Sequence, residues 1–121
     1  MRLNLLVLRC QEPETSKQFY ELLGFRFVEE RHGDGPIHYA SQVAGMVFEL
    51  YPLREGESVD NTRLGFSVPD LGEIVANLET VSRHASADEV VYIAQDPDGR
   101  KIELTERMTS PSPPTAWQRY V

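Results

Sequence analysis

The sequence predicts an α+β fold in which one β-α-β-β-β unit occurs twice. Three observations predict it. A strand, a helix and three strands follow one another over residues 2–52, the same order restarts after a polar stretch at 53–61, and one segment of each half aligns with the other without a gap. The aligned segments are Ala40-Ser41-Gln42-Val43-Ala44-Gly45-Met46-Val47-Phe48-Glu49-Leu50 and Ala94-Gln95-Asp96-Pro97-Asp98-Gly99-Arg100-Lys101-Ile102-Glu103-Leu104, in which Ala, Gly, Glu and Leu coincide. Self-similarity in both sequence and element order indicates duplicated modules. A chain of 121 residues fits a single domain. That domain is expected over residues 1–107, with module one at about 2–52, a linker at 53–61 and module two at about 62–106. A Pro-rich tail follows at 108–121.

Each element has its own signal. Leu3 to Arg9 is apolar at nearly every position, the pattern of a strand covered on both faces. Glu12-Pro13-Glu14-Thr15 then places proline and acid where a helix begins. Ser16, Phe19, Tyr20 and Leu23 share one helical face, and Gly24 closes the helix. Strands are expected at Phe25–Arg31, Ile37–Val43 and Met46–Tyr51, separated by the turn cluster His32-Gly33-Asp34-Gly35-Pro36 and by Gly45. In the second half, Arg63–Val68 is a strand, and Pro69-Asp70 opens a helix with Leu71, Ile74, Val75 and Leu78 on one face. Glu89–Ala94 and Arg100–Thr105 are the clearest later strands, joined by the turn Asp96-Pro97-Asp98-Gly99. A strand near Val81–His84 is weakly marked. The tail contains Ser110-Pro111-Ser112-Pro113-Pro114, which cannot continue a sheet or helix. It is expected to be loose and extended, or else to dock Trp117 and Tyr120 as a strap.

Composition narrows the partners. A net charge of -7 with no basic stripe argues against nucleic acid and anionic membrane. The apolar run at the N-terminus is far shorter than the roughly 20 residues of a membrane span and lacks signal-peptide features. Cys10 is the single cysteine, which excludes an internal disulfide and a cysteine metal cluster. A reducing compartment fits, and the expected location is cytoplasmic.

Two motifs carry a family resemblance. Phe19-Tyr20-Glu21-Leu22-Leu23-Gly24-Phe25 is similar to the helix-ending signature of the glyoxalase / bleomycin-resistance / extradiol-dioxygenase (vicinal oxygen chelate) superfamily, and Asp96 to Leu104 is similar to its DPDG-x-x-IEL signature. The resemblance covers about residues 2–106. It implies that each module curls a sheet into a cup, that two cups enclose one site, and that metalloenzyme members carry ligands on the first and fourth strands of each module. The matching positions here are Leu5, Glu49, Arg63 and Glu103.

Side-chain alternation turns Glu49 and Glu103 away from the apolar faces of their strands. The same alternation puts Arg63 opposite Leu64, Phe66 and Val68, and Leu5, Val7 and Arg9 on one side of the first strand. Leu5 cannot ligate and Arg63 repels a cation, so no metal is expected at these positions. If zinc, nickel or iron did bind, Glu49 and Glu103 would be its ligands. Dioxygenase chemistry, which needs two His and a carboxylate on iron, is disfavoured further. Arg63 is expected to bridge Glu49 and Glu103 ionically. His38 can reach the cavity from the third strand, whereas His32 and His84 stand alone. The expected cavity residues are therefore Leu5, Arg9, His38, Glu49, Arg63 and Glu103.

Three functions fit this reading. The first is metal-free binding of a small organic molecule in a cupped cavity, by a homodimer. The second is a lyase or isomerase acting on a small oxo or thiol-conjugated compound. The third is a non-catalytic dimeric interaction module.

Overall fold

A computed structural model describes residues 1–79 and 81–106, so the tail at 108–121 lies outside the described residues. The elements are β1 (Leu5–Cys10), α1 (Pro13–Leu22), β2 (Val28–Glu30), β3 (His38–Val43), β4 (Met46–Pro52), β5 (Leu64–Val68), α2 (Leu71–Ala76), β6 (Val81–Ala85), β7 (Val90–Gln95) and β8 (Lys101–Glu106). They form two four-stranded sheets of identical topology, β1-β4-β3-β2 and β5-β8-β7-β6. In each sheet the first strand runs parallel to the fourth, and the other neighbours are antiparallel. This is the duplicated β-α-β-β-β fold.

The core lies on the helix-bearing face of each sheet. Leu8, Cys10, Phe48 and Leu50 of the first sheet and Ala94, Ile102 and Leu104 of the second are buried together with Tyr20 of α1 and Leu71 of α2. The aromatic rings cross the module boundary: Phe25 meets Phe66 at 5.3 Å between centroids, and Tyr20 meets Phe66 at 6.5 Å, both edge-on. Edge-to-face packing of this kind adds stabilisation beyond burial. The two modules thus share one core.

Helix α1 starts with Pro13 and ends as expected. Gly24 takes a φ of 114°, the Gly24 amide donates to the Glu21 carbonyl and the Phe25 amide donates back to the Tyr20 carbonyl. That reverse turn needs a residue without a Cβ.

Two expectations change, and one faintly marked strand is present. The first strand is covered on one face, not both: Leu8 is 1% exposed, whereas Leu5 and Val7 opposite it are 53% and 37% exposed. Both helices pack on the same side of their sheets, so the other face stays open. The strand expected at Phe25–Arg31 shrinks to Val28–Glu30 because Phe25 closes the helix and Phe27 joins the aromatic cluster. The weakly marked strand near residue 81 is a full partner of β7. Four of its five residues are exposed, which is why it lacks an apolar rhythm.

A polar latch joins the modules. Arg100 is fully enclosed, and its Nη2 donates to the Arg9 carbonyl at 2.6 Å while its Nε donates to Asp60 Oδ1 at 2.9 Å. Its Nη1 reaches Asp96 Oδ2 at 3.3 Å and Asp98 Oδ2 at 3.4 Å. Tyr20 Oη donates to Asp96 Oδ2 at 2.6 Å, and the amides of Asp98 and Arg100 donate to Asp96 Oδ1. Asp98 also accepts from the Gln11 amide and the Ser16 hydroxyl. A buried guanidinium is tolerated because each of its edges meets an acceptor. Burial and the bond to Asp96 both push the Tyr20 phenol up. The hydrogen bond from Arg100 holds the Asp60 carboxyl below its usual range.

Candidate functional site

The open face of the second sheet holds a cavity of about 690 Å³, lined by Arg63, Leu64, Gly65, Phe66, Ser67, Glu103 and Thr105. The register explains the wall. Gly65 pairs with Glu103 and Ser67 with Thr105, so these side chains project to the side opposite Phe66 and Leu104. Ser67 and Thr105 hydroxyls lie 3.2 Å apart. Gly65 occupies the place that Val7 holds in module one, where Val7 pairs with Glu49. A Cβ at residue 65 would sit 3.8 Å from Glu103 Cβ, an ordinary contact, so the space is open because the residue is glycine. A volume of this size falls in the range of small-molecule sites.

The open face of the first sheet carries a different set. His38 is 1% exposed, and its Nε2 lies 3.3 Å from Glu30 Oε1 and 3.8 Å from Glu49 Oε2. Its ring stacks on Tyr51 at 4.0 Å, and Arg9 covers the Tyr51 ring at 4.8 Å. Arg9 Nη1 also donates to the Pro52 carbonyl. Arg9 is therefore committed to its own sheet.

The six expected cavity residues fall into two groups. Leu5, Arg9, His38 and Glu49 lie on the first sheet, and Arg63 and Glu103 line the cavity on the second. Glu49 is not grouped with Arg63 and Glu103: it faces His38 on the first sheet, whereas Arg63 stands exposed on the second. The metal positions implied by the family resemblance do not fit a metal either. Leu5 offers no donor atom, Arg63 brings a positive charge, and Glu49 sits beside a histidine on a separate sheet. Sequence reasoning missed Gly65, and it missed the grouping of Glu30 and His32 with His38. The Glu30–His38 pairing is a register fact, visible only once the β2–β3 hairpin is known. The lone thiol of Cys10 is pushed up by burial, which suits a packed core group and not a nucleophile.

Comparison with known proteins agrees with the architecture. The family model for the Glyoxalase/Bleomycin resistance protein/Dioxygenase superfamily matches residues 2–104. Oxidase ChaP-H1 superposes with a TM-score of 0.69 at 17% identity, over 92% of this chain and 99% of that one. TnmS3, an antibiotic binding protein from Streptomyces sp. CB03234, gives 0.66 at 18% identity, over 89% and 97%. Lactoylglutathione lyase from Agrobacterium tumefaciens gives 0.63 at 15% identity, over 87% and 92%. At such identities these likenesses concern the fold. No curated protein matches the sequence. Among the described residues, no helix is long and apolar enough to cross a membrane.

Proposed function

Because the chain belongs to the Glyoxalase/Bleomycin resistance protein/Dioxygenase superfamily, we propose that it binds a small organic molecule against the open face of its second sheet, without a metal at the four positions Leu5, Glu49, Arg63 and Glu103. The observation that carries this reading is the cavity itself, which has Arg63 and Glu103 in its wall and room left by Gly65. A site that mixes apolar wall with a few fixed charges orients an organic ligand. Arg63 would take an acidic or carbonyl group by its forked donors, and Glu103 a donor group. TnmS3, which is named as an antibiotic binding protein, is a precedent in this fold for a binding role.

The ligand would be closed in by a second copy of the chain. Leu5, Val7 and Val28 leave 53%, 37% and 65% of their surface exposed on one open sheet face. Such a face calls for cover, and a homodimer that sets the first sheet of one copy over the second sheet of the other supplies it. The cytoplasm remains the proposed compartment, since the single thiol of Cys10 is free and buried.

Titration calorimetry with small aromatic and oxo acids tests the reading. The account expects a ligand whose affinity is unchanged by chelator and falls about tenfold or more in Arg63→Met, the loss of one charge-assisted contact. Gly65→Val, whose side chain projects into the cavity beside Glu103, should weaken binding with the fold intact. Affinity that depends on added metal, or that survives both substitutions, would exclude this site. A second reading, a lyase or isomerase, is favoured by one feature: Glu103 is a partly buried carboxylate in the cavity wall, where a general base belongs. It requires turnover that Glu103→Gln removes while ligand binding persists.

A further inference from the structure

The first sheet holds a polar cluster that the proposed ligand cavity does not use. Glu30 on β2 pairs in register with His38 on β3, and His32 stands in the turn that joins the two strands. The Nε2 of His38 lies 3.3 Å from Glu30 Oε1, and His32 Nε2 lies 3.9 Å from the same oxygen. One ligand atom from each of the three residues lies within 4.8 Å of the others. Glu49 on β4 approaches the same His38 nitrogen, with its Oε2 at 3.8 Å.

The protonation of His38 makes the cluster informative. Its Nδ1 is 3.2 Å from the Pro36 carbonyl, which can only accept, so Nδ1 carries the hydrogen. In the neutral ring Nε2 then presents a lone pair. That atom is buried and has no hydrogen-bond partner, yet it faces two carboxylates. A buried lone pair beside two anions is unfavourable unless a cation stands among them. The remaining surroundings hold the ring in place: Tyr51 stacks on it at 4.0 Å with planes 9° apart, and Arg9 lies over Tyr51. A histidine locked by an Nδ1–H bond to a backbone carbonyl, with its other nitrogen presented to acidic neighbours, is the arrangement that orients a metal ligand.

We propose that Glu30, His32 and His38 bind a divalent cation of the zinc class that clamps the turn between β2 and β3. Two imidazole nitrogens and one carboxylate oxygen suit zinc, with water free to take the fourth position. Ligand atoms on a tetrahedral zinc stand about 3.3–3.6 Å apart, from bonds of about 2.0–2.2 Å. The separation of 3.3 Å already has that length, and that of 3.9 Å closes to it by a small rotation. Glu30 and His32, whose side chains are 40% and 73% exposed, are free to make it and give the ion a way in. The ion stands apart from the positions Leu5, Arg63 and Glu103, and it does not depend on the proposed ligand.

The test is calorimetric titration of the full chain with zinc alone, after metal is stripped with chelator and the chelator removed. The account expects one zinc per chain with a Kd of about 10 μM or tighter, and a higher melting temperature with zinc present. His32→Ala and Glu30→Gln, both at accessible positions, should weaken zinc by about tenfold or more while keeping the wild-type circular dichroism. His84→Ala, a histidine on the second sheet, should bind as wild type does. Absence of saturable binding would overturn the proposal. Unchanged affinity in both His32→Ala and Glu30→Gln would overturn it as well.

Discussion

Arg63 and Arg100 separate at the level of the single residue. Arg100 is enclosed by Asp60, Asp96, Asp98 and the Arg9 carbonyl, whereas Arg63 stands exposed at the rim of a cavity. Removing one member of a buried ionic network leaves charges without partners, so Arg100→Met should cost about 3–5 kcal/mol. Arg63→Met should change stability by no more than about 0.5 kcal/mol, as exposed substitutions do. Urea denaturation of both variants at neutral pH checks the contrast, and comparable losses would contradict it. From sequence the two looked different for the wrong reason. Arg63 is read as a bridge because its neighbours alternate cleanly, and Arg100 only as the first residue of the strand that follows Asp-Pro-Asp-Gly. Alternation reports which face a side chain takes, as it did for Glu49 and Glu103, but it cannot report what lies opposite that face.

The elements show what each segment contributes beyond its own shape. The linker at 53–61 is polar in sequence, and its Asp60 is nevertheless the outer member of the Arg100 latch. Its carboxyl is held low first by the hydrogen bond from Arg100 and then by the Thr62 amide. A carboxyl lowered in the fold contributes stability that is present above the unfolded value of about 3.9 and is lost as pH falls through the folded value. Asp60→Asn should therefore melt below wild type at neutral pH, with the gap narrowing as pH drops below about 4. A gap of constant size across that range would show that Asp60 acts through its shape and not its charge. The two signature motifs also proved to be one device. Tyr20 of the helix motif donates to Asp96 of the turn motif at 2.6 Å, so both were legible as words while their contact was not. The β6 strand was faint for the opposite reason: it pairs through its backbone and buries little, and hydrophobic rhythm is blind to such strands.

At the scale of the whole molecule, the repeated element order foretold two sheets of the same topology. It could not foretell that the helix-bearing faces would share one core and leave both site faces open. That outcome depends on contacts between residues far apart in the chain, such as Phe25 with Phe66 and Arg100 with the Arg9 carbonyl. With the modules joined in this way, Leu5 and Val7 on one sheet and the cavity beside Gly65 on the other await cover. The central claim, a ligand cavity closed by a second copy, is tested most directly by native mass spectrometry of wild type and Gly65→Val side by side, both at micromolar concentration. The account predicts a dimer for both proteins, and an organic adduct that Gly65→Val carries to a lesser extent than wild type. A bare monomer for wild type, or the same adduct to the same extent on both proteins, would contradict it.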